Sequence, residues 1–182
     1  MKKGVYKEII ISILILIGIL AYFVFQIRFQ TVLFFLVLIL SFYFSERIFS
    51  FNFERKHYFY VSVISLSMLF FYYIQLQFVY IDKILHLIGG IMLASIMYHI
   101  STKIKVIKNY QLLFTIISSL LIILGYEFYE YVSDFFLNTS MQGVYQKIGD
   151  ETIVLIGSVA DTIQDVVLGL FGVLGSFFVI QR

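Results

Sequence analysis

The sequence predicts an all-α, polytopic membrane helix bundle with about six transmembrane helices, forming a single integral membrane domain over residues 1–182. Three observations predict it. The chain is 61% hydrophobic and only 13% charged, with a mean hydropathy of +0.97, whereas soluble domains are about 45–50% apolar and about 25% charged. Apolar windows recur at roughly 8–26, 31–45, 58–79, 84–100, 110–131 and 162–180, near the length of about 20 residues that a spanning helix needs. The basic residues, finally, alternate between the ends of those windows as membrane insertion demands.

The first window follows Met1-Lys2-Lys3. It lacks a small-residue cleavage pattern, since Ala21-Tyr22-Phe23-Val24-Phe25 is bulky, and is expected to be an uncleaved first span. The second is short, and Glu46 and Arg47 are expected to snorkel to the interface at its end. The fourth window carries Gly90 and Ala94, and the sixth Gly172 and Ser176, at the small-xxx-small spacing that lets helices approach closely in lipid. Gly89, one turn below His86, is a second place where a missing side chain leaves room beside a site. The segment 132–160 is the one long connection; with Gly143, Gly149 and Ile153-Val154-Leu155-Ile156 it is expected to be a lid or a re-entrant piece. The chain has no proline, so the commonest cause of kinked spans is missing. With no cysteine either, disulfides and thiolate metal sites are excluded. A net charge of +2, without a basic run, gives no support to nucleic-acid binding.

Orientation follows from Lys and Arg. With the N-terminus cytoplasmic, Lys2, Lys3, Lys7, Arg47, Arg55, Lys56, Lys103, Lys105, Lys108 and Arg182 all fall inside, and only Arg28, Lys83 and Lys147 outside. Both termini are therefore expected in the cytoplasm, of a cell (plasma or inner) membrane. Reporter fusions at residues 1, 50, 105 and 182 should read cytoplasmic, and those at 82 and 145 external. An internal signal at 145 would dismantle the assignment.

The acids are distributed in the opposite sense. Glu8, Glu46 and Glu54 are inside; Asp82, Glu127, Glu130, Asp134, Asp150, Glu151, Asp161 and Asp165 fall in the outer half. Acids contribute little to topology, so this asymmetry needs another cause. Asp82 with His86, Glu127 with Glu130, and Asp161 with Asp165 are spaced three or four residues apart, hence each pair shares a helix face. Ionisable groups at membrane depth are costly and mark functional sites. A helix rises about 6 Å over four residues, so the pairs fall into two tiers. His86, Glu127 and Asp165 form the deeper one; Asp82, Glu130 and Asp161 form the outer one, with Asp134 continuing outward.

Five carboxylates gathered in low dielectric need a counter-charge. A divalent metal cation of unassigned identity, held by Asp82, His86, Glu127, Glu130, Asp161 and Asp165, is the simplest; two ions sharing carboxylates also fit the ligand count. At least four of the six donors are expected within coordination reach of one point. Capping of helix N-termini is the competing account for Asp82 and Asp161. It does not serve Glu127 and Glu130, which fall near the end of a predicted helix. His57 and His99 are expected at the interface. Lys83 is expected to snorkel, or to balance an acid or a lipid phosphate.

The runs Asp82-Lys83-Ile84-Leu85-His86-Leu87-Ile88-Gly89, Glu127-Phe128-Tyr129-Glu130-Tyr131 and Asp161-Thr162-Ile163-Gln164-Asp165 resemble, in this order, those of the YjdF-like family of six-span bacterial inner-membrane proteins. The similarity covers roughly the last 105 residues, and this chain uses Phe and Tyr where that family has tryptophans. The first run also resembles VanZ-like membrane proteins. The resemblance implies the topology and the site residues; it implies no reaction.

The function expected is therefore that of a multi-pass membrane protein with an outward-facing carboxylate and histidine site. That site would depend on a divalent metal and act on a lipid or lipid-linked substrate, as hydrolase or transferase, with Glu127 and His86 handling protons. A cation or proton-coupled transporter is the alternative, and a structural protein tied together by metal is a third.

Overall fold

In the computed structural model, residues 5–27, 29–77, 80–137, 142–148 and 151–180 are described. They form six helices and one hairpin: α1 (Val5–Phe25), α2 (Phe29–Phe49), α3 (Arg55–Gln77), α4 (Ile81–Lys103), α5 (Lys108–Leu137), β1 (Val144–Ile148), β2 (Glu151–Ile156) and α6 (Ser158–Ile180). Among the described residues each predicted window coincides with one helix, to within a residue at its end. Five of these helices are long and apolar enough to cross a membrane. The remaining helix, α3, has 23 residues, a sufficient length. Its basic first turn and its serines at 62, 65 and 67 dilute its apolarity.

The chain packs as two compact units, Met1–Tyr72 and Tyr73–Arg182. In the first, α1 lies against α2. Gly18 permits the approach, because a Cβ there would come 2.9 Å from the Phe35 ring. Leu14, Ala21, Phe35, Ile39 and Tyr58 make the buried interior.

Glu46 does not snorkel. It is 8% exposed and accepts hydrogen bonds from Lys7 Nζ, from the Tyr58 hydroxyl and, at 2.9 Å, from the Phe53 backbone amide. One carboxylate so ties α1, the turn after α2 and the start of α3, while Arg47 pairs with Glu8. Three donors repay the desolvation that snorkelling would have avoided. His57 is also buried, 1% exposed; its Nδ1 accepts the Glu54 amide at 3.1 Å at the entry to α3. Glu46→Ala should destabilise this unit by about 3 kcal/mol, since removing one member of a buried ion pair strands the other. Thermal unfolding in detergent measures it; a shift no larger than that of an exposed Glu54→Ala control would overturn the assignment.

In the second unit α4, α5 and α6 pack on one another, α4 most extensively on α6. Small residues make that contact. A Cβ at Gly90 would lie 3.0 Å from the Gly169 carbonyl carbon and collide with its oxygen, and one at Gly172 would collide with the Leu87 carbonyl. Ala94, Ile123 and Val173 fill the centre. Gly89, by contrast, has open space around it. The helices' outer faces are apolar and exposed, as at Leu121, Phe171 and Phe178.

Two boundaries differ from expectation. Helix α5 continues to Leu137, about two turns beyond Glu130, because Tyr131, Phe135 and Phe136 extend an apolar face that Asp134 interrupts only once. The apolar stretch Ile153–Ile156 of the long connection, moreover, is strand: β1 and β2 pair antiparallel, with Tyr145 opposite Val154 and Lys147 opposite Thr152. Its β-branched residues favour that extended form. Residues 138–141 and 149–150 of the same connection lie outside the described residues.

Candidate functional site

Helix α4 begins at Ile81, so Asp82 and Lys83 stand in its first turn and His86 one turn further. Helix α6 likewise places Asp161 in its first turn and Asp165 one turn on. Glu127 and Glu130 lie well inside α5, so all three helices of the second unit contribute. The close α4–α6 contact at Gly90, Gly169 and Gly172 is what allows side chains near the start of both helices to meet.

Asp82 is not a cap for its own helix: the residue at the cap position is Tyr80, which makes no side-chain capping bond. Asp82 instead turns Oδ1 toward His86 Nε2, at 3.5 Å, and Oδ2 toward Lys83 Nζ, at 3.4 Å. His86 Nε2 lies 3.9 Å from Asp165 Oδ1, and Nδ1, on the other side of the ring, lies 3.7 Å from Glu127 Oε1. The ring is 5.9 Å from that of Tyr126. Donor atoms of Asp82, His86 and Asp165 all lie within 4.8 Å of one another. Ligands bound at about 2.1 Å stand at most about 4.2 Å apart, so a small contraction of the trio would enclose a divalent ion.

The group therefore has three members where four were expected. Glu127 approaches through His86, and Glu130 and Asp161 lie outside the trio, though all are at most 5% exposed. Asp161 is joined to the trio through Lys83, whose ammonium ion-pairs with it and with Asp165 at 2.7 Å. The other oxygen of Asp161 accepts the Gly143 amide at 2.6 Å. Gly143 has φ 100°, a backbone conformation that glycine alone adopts readily, and it carries the chain into β1. Asp134 Oδ2 accepts the Gln142 amide at 2.8 Å, and the Gln142 side-chain amide donates to Thr162 at 3.1 Å. The segment before the hairpin is thus latched to acids of α5 and α6.

Of the roles expected for Lys83, the structure shows the balancing of acids. Its side chain does not snorkel; it is 11% exposed and is the counter-charge of three aspartates. A signal for it was available, since Lys83 stands next to Asp82 and three residues from His86. The latch through Gln142 and Gly143 had no such signal, because backbone amides carry no sequence identity.

Both Glu127 oxygens and Asp165 Oδ2 are buried without a hydrogen-bond partner. A buried carboxylate left in that state costs free energy, and such atoms are what a bound cation or a protonated ligand would satisfy. A carboxylate behind a histidine whose other nitrogen is turned to two aspartates also matches the way metal-binding histidines are oriented. The residues present fit a divalent ion.

Residues 5–182 match the sequence model of the family described as Predicted membrane protein (DUF2238). The match takes in the first two helices, which the three acidic runs did not reach. No curated protein and no solved structure matches the chain.

Proposed function

The chain belongs to the predicted membrane protein family DUF2238, and from that premise we propose that this multi-pass protein holds one divalent cation between Asp82, His86 and Asp165 and uses it on a lipid or lipid-linked substrate. The observation that carries the reading is the pose of His86, with Nε2 turned to two aspartates and Nδ1 turned to the buried Glu127. A proton on Nδ1 would leave Nε2 as a lone-pair donor, and Glu127, 3.7 Å from Nδ1, is the carboxylate that would draw it there on a small approach. When bound, the cation would supply Lewis-acid polarisation of an ester or phosphoryl oxygen, or an activated water. Glu127 and His86 orient one another and hold the proton on the inner side of the centre; Asp82 and Asp165 carry the charge that draws the ion in.

We infer a kinship with YjdF-like proteins from the three acidic runs, and place the chain in the cell membrane with the centre facing outward. The asymmetry of Lys and Arg supports that orientation. A substrate drawn from the outer leaflet would reach such a centre from the side of α4 and α6 where Asp82 and Asp161 lie.

One observation favours a second reading. Lys83 already neutralises part of the aspartate cluster, so the site can also serve as a metal-free proton or cation relay. Elemental analysis of protein purified without chelator separates the two. The metal reading expects a divalent ion in stoichiometric amount; protein devoid of divalent metal that also fails to take up added Mn²⁺ overturns it and leaves the relay.

A further inference from the structure

The structure also bears on how many ions the site can take, an inference that rests on the metal reading above. Asp82 divides its two oxygens, one 3.5 Å from His86 Nε2 and the other 3.4 Å from Lys83 Nζ. Asp165 does similar double duty, its Oδ1 lying 2.7 Å from Lys83 Nζ and 3.9 Å from His86 Nε2. Two carboxylates therefore bridge two neighbouring cation seats, the arrangement by which centres with two metals hold ions about 3.5–4 Å apart. The first seat is faced by the imidazole. The second is filled by an ammonium that Asp161 holds from its far side.

We propose that Lys83 is the permanent second cation of a mixed metal–lysine centre, so that each chain binds one divalent ion in the His86 seat and never two. Acidic residues alone would not indicate a ligand. The independent indication is Asp165 Oδ2, buried without a hydrogen-bond partner in a residue 1% exposed, together with Glu127, 4% exposed, which faces His86 Nδ1 from 3.7 Å. Glu127 backs the imidazole toward the first seat, and nothing comparable backs the second.

The arrangement also names a substrate class. A divalent ion and a neighbouring ammonium form a pair of positive charges suited to an oxyanion that bridges them, as a phosphate ester of a lipid headgroup would. To meet that oxyanion Lys83 would turn toward it one of the three N–H donors it gives to Asp82, Asp161 and Asp165, and being covalently tethered its charge is not lost to chelators. The scarcity of cationic residues around the acids is thereby reconciled with a phosphate substrate: one well-placed lysine does the work of a second metal.

Mn²⁺ binding to the full chain in detergent tests this, by equilibrium dialysis and electron paramagnetic resonance. Wild type should bind one Mn²⁺ per chain with the hyperfine pattern of an isolated ion. Lys83→Ala should bind two, with a spin-coupled spectrum, and Lys83→Arg should bind one. Two ions in wild type, or one in a folded Lys83→Ala, overturns the proposal while the metal reading survives. No ion in wild type overturns both. If Lys83→Ala does not elute as a single species, wild type and Lys83→Arg decide, one ion in each supporting the proposal and two in either overturning it.

Discussion

Asp165→Asn should cost the protein its divalent ion, lowering affinity more than 100-fold, while helix content and elution in detergent stay those of wild type. Asp165 is buried at the meeting of α4 and α6, one oxygen shared by Lys83 and His86 and the other unpartnered. The amide keeps the size of the carboxylate but removes the charge that a hard cation needs. His86→Ala should lose as much, through loss of the nitrogen donor. Glu127→Gln should lose less, about 10–100-fold, as expected for a residue that orients a ligand rather than binding the ion. The order of effects is the content of the prediction. A Glu127→Gln variant as damaged as Asp165→Asn would move Glu127 into the ion's own coordination shell. Variants with unchanged ion content would remove the metal from the account altogether.

The other large effect should come from a residue with no polar atoms in its side chain. Gly90→Ala and Gly172→Ala should each destabilise the second unit by about 3 kcal/mol or more, beyond the usual range for overpacking, because the obstructing atoms are the Gly169 and Leu87 backbone carbonyls and no rotamer can move them aside. Gly89→Ala, with nothing within 4 Å of the added carbon, is the matched control and should be silent or slightly stabilising, since alanine is the better helix former. Unfolding temperature and ion affinity should fall together in Gly90→Ala, because the same helix contact brings Asp82 to Asp165. A Gly89→Ala variant damaged as severely as Gly90→Ala would show that the glycines act through helix propensity and not through contact.

The helices were legible because lipid imposes a simple rule: with no water to satisfy backbone groups, apolar residues must run for the length of a helix. Composition and window length therefore located all six, with α5 extending past its window only because one acid interrupts an apolar face without breaking a helix. The acid pairs were legible because spacing alone places Asp82 with His86, and Asp161 with Asp165, on one helix face. The hairpin was read less well, since a short apolar run is compatible with strand or helix until its partner is known.

What the sequence by itself determined is thus an all-helical membrane protein, the helix faces that carry its acids, and the small residues where helices meet. Which of those acids meet one another was decided only by the packing of α4 on α6. It brought Asp82, His86 and Asp165 together and turned Lys83 inward as a counter-charge, while the packing of α5 on these helices set Glu127 behind the imidazole. Glu46, too, became an anchor only once Lys7, Tyr58 and the Phe53 amide had converged on it. The physical reason is common to these cases. A charged side chain on one helix can end in lipid, water or an ion pair, and its choice depends on a partner whose distance in space its distance in sequence does not encode.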